Sequence, residues 1–336
     1  MLRVAVIGCR TIGIRHAQGA INAGDAAELV AGCDLSEKLL REFTDHFKSA
    51  APKVTTYTDF REMLSAEQPD IVTVATGDHQ HAEAVVAAAE AGAKAIFCEK
   101  PLATSVADGD RMLEAVDKHG CILSIDHTRR WMPAWRYAAE KVIATGEIGE
   151  VRTIVGGFSG ERAMLFRNGT HVIDAMCWLA DSDPAWVMAE LEPGYEDYTE
   201  YRGDGGHVPE TEPAGHGYIH FSNGVRAFYS GGPKQKVTNP MRVTVEGTLG
   251  DMLITENLIV TSVTVYKNEE SRSVDISSQH AHAIPQAVTD LIDVVANGGT
   301  PRSTGRDGMR VVEIMLGFLE SQRQGNNRVE LPLQRS

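Results

Sequence analysis

The first 125 or so residues alternate short apolar runs with segments of helical periodicity, and this rhythm constrains the chain more than any other feature. Strands are predicted at "RVAVIG", "ELVAGCD", "IVTVAT", "AIFCEK" and "CILSID". Between them "HAQGAINA", "SEKLLREFTDHF", "FREMLSA", "HAEAVVAAAEAG" and "SVADGDRMLEAVDKHG" repeat apolar residues every three to four positions, and they often end in glycine. Short strands separated by helices pair in parallel through crossovers, so residues 1–125 read as a doubly wound α/β sheet.

From Asp126 the grammar changes. A polar, aromatic stretch, "DHTRRWMPAWRYAAEKVIATGEIGEV", leads into alternating segments: "VRTIVGGF", "HGYIHF", "VRAFYSG", "MRVTVEG", "DMLITEN" and "VTSVTVYK". Turn signals at Asn223-Gly224 and Gly247-Thr248-Leu249-Gly250 separate some of them, as hairpins require. Helical patterns interrupt at "HVIDAMCWLAD", "IPQAVTDLIDVVANG" and "GMRVVEIMLGFLESQRQG". Residues 126–336 therefore read as an α+β domain with a large, mostly antiparallel sheet, one face of it open. The long acidic segment "EPGYEDYTEYRGDGGHVPETEPAG" is expected to be mobile or to cover a site.

The 336 residues suffice for two such domains, with 43% hydrophobic and 23% charged residues, ordinary proportions for a globular protein. A formal net charge of −14 repels phosphate backbones, which argues against a nucleic-acid partner. No apolar stretch approaches the ~20 residues a bilayer span needs, and "MLRVAVIGC" runs directly into a strand pattern. The expectation is a protein neither exported nor anchored. Its cysteines, Cys9, Cys33, Cys98, Cys121 and Cys177, are odd in number and form no C-x-x-C, which fits a reducing cytoplasm and supports no metal site. The Asn168-Gly169-Thr170 sequon reads as chance.

Gly8-Cys9-Arg10-Thr11-Ile12-Gly13 closes the first strand and opens the first helix, where a dinucleotide fingerprint belongs. Its middle glycine is replaced by Arg10. Gly8 permits the tight turn, Gly13 permits close helix–strand packing, and the helix N-terminus offers amides to a pyrophosphate. Arg10 either adds a cation beside the phosphates or crowds them. The second strand ends in Asp34, placed to accept hydrogen bonds from the adenosine ribose and to repel a 2′-phosphate, so NAD is favoured over NADP. Asp34 or Ser36 also suits the cap of the next helix.

Glu99-Lys100-Pro101 stands at the end of the fourth predicted strand, the end at which open α/β sheets bind ligands. With this segment the chain resembles the Gfo/Idh/MocA family of sugar and polyol oxidoreductases over nearly its whole length. The matching pieces are "GCRTIGIRH", "VATGDHQHAEAVVAAAEAGAKAIFCEKPLA", "RRWMP", "GEIGEV", "GTHVIDAMCWL" and "ESQRQGNNRVELPL". The resemblance implies a Rossmann domain for a nicotinamide cofactor and a second domain, 126–336, that binds substrate and packs its open sheet on another subunit as a homodimer or homotetramer.

It further implies that Lys100 meets the substrate hydroxyl. Hydride leaves a carbinol carbon while a base takes the hydroxyl proton, and a lysine near the nicotinamide's positive charge has its ammonium form disfavoured. Glu99 orients Lys100 or touches the cofactor. His171 is the histidine that hydrogen-bonds the reacting oxygen or relays its proton, and Asp174, a helical turn on, orients His171 or faces another neighbour. Thr76, His79 and His81 follow the third predicted strand, where relatives line the cofactor crevice. The chain departs from many relatives at Arg167, four residues before His171, where an acid is common. With Arg130, Arg162 and Arg129, Arg167 would suit a carboxylate, sulfonate or phosphate on the substrate; Arg130 also matches a common family arginine.

Other residues carry plainer readings. His216 and His220 lie in a strand pattern, which suits packing or pocket lining better than metal ligation. His280 and His282 open a helix near the expected pocket, and Trp131, Trp135 and Trp178 read as core or interface aromatics. Three functions fit this pattern: an NAD-dependent dehydrogenase or reductase acting on a ring hydroxyl or carbonyl of a sugar or cyclitol, an enzyme that uses transient oxidation to cleave a glycosidic bond, and a dinucleotide-sensing regulator. Lys100 and His171 together favour the first.

Overall fold

A computed structural model of the chain describes residues 1–202 and 208–335 and divides into two compact units. In the first, β1 (Leu2–Ile7), β2 (Ala27–Cys33), β3 (Thr55–Tyr57), β4 (Ile71–Val74), β5 (Ala95–Cys98) and β6 (Ile122–Ile125) form a sheet ordered β3-β2-β1-β4-β5-β6. Every pairing is parallel. The connections run through α1 (Thr11–Asn22), α2 (Glu37–Phe47), α3 (Phe60–Glu67), α4 (His81–Glu90) and α5 (Val106–His119). All residues of β4 and β5 are buried, as expected of strands covered on both faces. Strand order reverses between β1 and β4, the switch point at which such sheets bind ligands.

The sequence reading missed β3. Its three residues, exposed or half-buried, carry no apolar run, and Lys100 consequently follows the fifth strand rather than the fourth.

In the second unit β7 (Val151–Ser159), β8 (Pro184–Leu191), β9 (Gly215–Phe221), β10 (Arg226–Gly231), β11 (Asn239–Gly247), β12 (Asp251–Glu256), β13 (Val260–Lys267), β14 (Glu270–Ser277) and β15 (Val329–Glu330) make one sheet. Its order is β14-β13-β12-β11-β7-β10-β9-β8-β15, and only β7 and β10 run parallel. Both anticipated hairpins form. The strands β8, β14 and β15 were not anticipated; β14 is mostly exposed and polar, and β15 spans two residues.

α6 (Pro133–Tyr137) continues as a π-helical turn, and α7 (Thr170–Ala180) packs on β7 and β10. After α8 (His280–Asn297), α9 (Gly305–Arg323) brings Phe318 against the Tyr229 ring, with centroids 6.0 Å apart. α7 and α9 cover one sheet face. On the other, Met188, Tyr218, Phe228 and Val155 pair directly across β8, β9, β10 and β7. Met188, Phe228 and Val155 are each 43–44% exposed, an apolar row unusual on a solvated surface.

The division differs from the boundary at 125/126. The first unit runs to Thr128 and takes back residues 281–306, with Thr289 Oγ1 on α8 donating to the Gly19 carbonyl at 3.0 Å. A change of element type marks where the grammar shifts, but it carries no sign of where the chain returns. Of the acidic segment, residues 203–207 lie outside the described residues. Among its described residues Tyr201 is buried and stacks on Phe166 with centroids 4.6 Å apart, and Tyr195 donates to the Glu210 carbonyl at 2.6 Å. Among the described residues no helix is long and apolar enough to cross a membrane.

Candidate active site

In the first unit the fingerprint turn is built by exclusion. Gly8 has φ +92°, a conformation that side chains rarely adopt, and a Cβ there would overlap the Ala75 carbonyl at the end of β4. A Cβ on Gly13 would overlap the Gly8 carbonyl, so α1 can start this close to β1 only without one. Arg10, at the N-cap of α1, is exposed and makes no side-chain cap, and the first turn holds no acid. The positive end of the helix is thus arranged to receive an anion, with Thr11 exposed and Ile12 half-buried beside it.

Asp34 stands across this turn. Its Oδ2 accepts the Cys9 N–H and its Oδ1 the Ser36 N–H, both at 2.9 Å, while Ser36 Oγ caps α2. The cap belongs to Ser36, and Asp34 joins the end of β2 to the fingerprint. Burial, and then the charge of Asp34, push the Cys9 and Cys33 thiols up, Cys33 to about 12, so both remain protonated.

β4 delivers Thr76, half-buried, and His79, exposed. His81 is fully buried, and its Nδ1 lies 2.9 Å from the Pro101 carbonyl, so it holds the segment that follows Lys100. Lys100, 8% exposed, precedes Pro101 through a cis peptide bond, and its N–H donates to Glu99 Oε2 at 3.3 Å. Glu99 is buried. Burial alone would raise its carboxyl, but the nearby His16 ring, the Lys100 charge and Asp126 outweigh burial and hold it well below the usual carboxylate range.

In the second unit His171 is buried at the start of α7. Asp174, one turn on, accepts from Arg130 Nη2 at 2.8 Å and from Nε at 3.1 Å, and Arg130 also lies 3.3 Å from Asp307. Burial works against the Arg130 charge, but the carboxylates of Asp174 and Asp307 hold the guanidinium protonated. Arg129 makes a two-pronged bond to Glu256, at 2.6 and 3.1 Å, which also accepts from Trp135 Nε1 at 2.6 Å. Two of the arginines suggested for an anionic substrate are therefore engaged by carboxylates of the protein.

The other two precede His171. Arg162 is exposed, and its carbonyl accepts from Asn168 at 2.7 Å. Arg167 is half-buried in the π-helical turn Leu165–Gly169. Here the structure adds a residue the sequence did not suggest: Glu212, fully buried, accepts the Phe166 and Arg167 N–H groups on Oε2, both at 2.9 Å, and Tyr201 OH on Oε1 at 2.8 Å. Nothing in "ETEPAG" signals this. His16 was also unassigned, although it sits in the quoted "GCRTIGIRH".

Four further histidines considered in the sequence make other contacts or face solvent. His216 approaches Ser230 at 3.1 Å, His220 stacks on Trp186, His280 lies 3.5 Å from Glu256, and His282 is exposed.

Two family models match the chain: "Oxidoreductase family, NAD-binding Rossmann fold" over residues 2–127 and "Oxidoreductase family, C-terminal alpha/beta domain" over residues 141–331. The chain belongs to the Gfo/Idh/MocA oxidoreductase family, and its first unit carries the family's NAD-binding domain. It is 28% identical over 191 residues to an inositol 2-dehydrogenase of Salmonella typhimurium, a match covering 54% of this chain and 55% of that protein. The chain thus spans about half the length of the inositol dehydrogenases it matches. It is 27% identical to a D-apiose dehydrogenase of Paraburkholderia graminis, covering 97% of this chain and 89% of that protein. A solved levoglucosan dehydrogenase, in complex with NADH and levoglucosan, shares the fold with a TM-score of 0.80 at 20% identity, covering 98% and 99% of the two chains.

Proposed function

We propose that this protein is an NAD-dependent dehydrogenase that oxidises a ring hydroxyl of a sugar or cyclitol, or reduces the corresponding carbonyl. The observation that carries the reading is a buried lysine at the carboxyl end of β5, in the same unit as a glycine-built turn and helix end suited to a pyrophosphate. The relatives' names, for inositol, apiose and levoglucosan dehydrogenases, support the substrate class. Gly8, Arg10, Thr11, Ile12 and Gly13 would hold the diphosphate, Asp34 the ribose, and Thr76 and His79 the crevice wall, with His81 and Glu99 acting from behind through Pro101 and Lys100. A nicotinamide bound there supplies the hydride acceptor. The amine of Lys100 takes the hydroxyl proton, and His171 holds the reacting oxygen by a hydrogen bond. Arg130 and Asp174 fix α7 rather than contact substrate, which leaves Arg162 and Arg167 to select any anionic substituent.

The test is absorbance of reduced nicotinamide while the protein and NAD meet myo-inositol, apiose, levoglucosan, sugar acids and aryl glycosides, with products analysed in parallel. NADH accumulating with a sugar or cyclitol is the expected result. Cleavage of a glycoside without net NADH would replace this reading with redox-assisted bond cleavage, and NAD binding without turnover of any compound would favour a sensor.

Two further expectations follow. Asp34→Ala removes charge-assisted acceptors worth about 1.5–3 kcal/mol, so NAD binds roughly tenfold to a hundredfold more weakly while NADP gains relative to it. An unchanged ratio of the two dissociation constants would remove Asp34 from cofactor selection. The apolar row Met188, Tyr218, Phe228 and Val155 supports a homodimer or homotetramer closed through the open sheet face. Phe228→Glu should then shift the sedimenting species toward monomer, and a wild-type chain that is already monomeric would refute the assembly. Five unpaired, buried cysteines support a cytoplasmic location.

A further inference from the structure

Beside Glu99 the first unit buries two ionisable side chains that the proposed chemistry does not otherwise use, His16 and Asp126. His16 of α1, Glu99 after β5 and Asp126 after β6 are 0%, 6% and 1% exposed, and they bring one ring nitrogen and two carboxylate oxygens within 4.8 Å of one another. His16 Nε2 lies 3.5 Å from Glu99 Oε1, and the His16 ring is edge-on to Phe97 of β5 with centroids 5.0 Å apart. The other Glu99 oxygen accepts the Lys100 N–H. The Asp126 N–H donates to the Cys98 carbonyl at 2.9 Å, which fixes Asp126 beside the strand end that presents Lys100.

The ionisable groups around this cluster come from each element that builds it. α1 supplies His16, the end of β5 supplies Cys98, Glu99 and Lys100, and the turn after β4 supplies Asp78. The exit of β6 supplies Asp126 and His127, the latter 3.1 Å from Ser303 through Nδ1. Two carboxylates this close and this buried do not both remain ionised without positive charge beside them. The amine of Lys100 supplies positive charge to Glu99, and the His16 ring stands 3.5 Å from the carboxylate.

We propose that His16, Glu99 and Asp126 are positioning residues for Lys100, a buried counter-charge that fixes the lysine at its strand end and sets the pH at which its amine becomes a base. The consequence for function rests on Lys100 being the proton acceptor; the cluster itself does not. Glu99 is the principal anion, held ionised against its burial by its neighbours.

The signs follow from electrostatics. An adjacent anion favours the ammonium, so removing it lowers the pH at which Lys100 deprotonates, whereas removing a positive partner from Glu99 leaves more of that anion's field to Lys100 and raises it. The experiment is a pH titration of the full-length protein labelled with ¹³C at lysine Cε, the Lys100 resonance assigned by its loss in Lys100→Met. In Glu99→Gln the Lys100 midpoint should fall by about one pH unit or more, in the near-isosteric Asp126→Asn, which keeps a hydrogen-bond donor beside Glu99, it should stay within a few tenths of a unit, and in His16→Gln it should rise.

Thermal midpoints and circular dichroism identify any variant that fails to fold, and Glu99→Gln or His16→Gln alone then still decides. A merely structural role predicts unmoved midpoints in Glu99→Gln and His16→Gln, or movement in the same direction in both, and either result overturns the proposal. A stoichiometric metal ion in the active enzyme, with activity lost to a chelator, also overturns it by making the trio a ligand set. If Lys100→Met keeps wild-type turnover, the functional reading fails, and the titrations still judge the cluster on their own.

Discussion

Lys100→Met should lower turnover by roughly a thousandfold while leaving NAD affinity within a few-fold of wild type. Methionine keeps the length and apolar stem of the side chain, so the buried site behind Pro101 stays filled and the loss is that of the amine. Positioned proton transfer contributes about 10²–10⁴-fold, which sets the size of the effect. His81, bonded to the Pro101 carbonyl, and Glu99, bonded to the Lys100 N–H, hold the backbone whether or not the amine is present. Steady-state kinetics with the substrate identified in the panel, alongside NAD titration by fluorescence, separates the two parameters. Turnover within tenfold of wild type would mean that another group takes the proton. Partial recovery by added small primary amines would instead assign the loss to the missing base.

The parts of this site that could be read in advance share one property: their signal lies within a few residues along the chain. Gly8 and Gly13 are marked by a strand that ends and a helix that begins, Asp34 by the end of the next strand, and Lys100 by an apolar run followed by proline. Hairpin turns at Asn223-Gly224 and at 247–250 are local in the same way. What escaped the sequence depends on partners far away in it. Glu212 reaches the amides of Phe166 and Arg167 across more than forty positions, and Arg130 meets Asp174 across a similar gap. Asp126 and His16 become a cluster with Glu99 only once parallel pairing of β5 and β6 and the packing of α1 bring three segments together.

Composition also averages over detail. The segment around 192–215 is acidic and rich in glycine and proline, a profile that suits a mobile loop or a cover over a site, and among its described residues Tyr201 and Glu212 are among the most buried of the second unit. These are two side chains, and an average over the segment hides them.

Asp174→Ala should be the most destabilising of the single substitutions considered, by about 3–5 kcal/mol in denaturant unfolding, because it takes the two-pronged carboxylate from the buried Arg130 guanidinium and leaves it the longer 3.3 Å approach of Asp307. Arg130 lies inside the unit, 5% exposed, with its guanidinium over the Trp178 ring at 5.7 Å, so water cannot readily replace the lost carboxylate. The pair Arg130→Met with Asp174→Leu removes both charges and fills the space, and it should recover much of that loss, since a buried ion pair replaced by apolar groups of similar volume is often near neutral. Recovery would decide between two roles for Arg130. If the double variant is stable and its KM for the identified substrate is unchanged, Arg130 is part of the scaffold that carries α7, and with it His171. If it is stable but its KM rises tenfold or more, the guanidinium also contacts substrate, and the anionic class regains a third arginine beside Arg162 and Arg167.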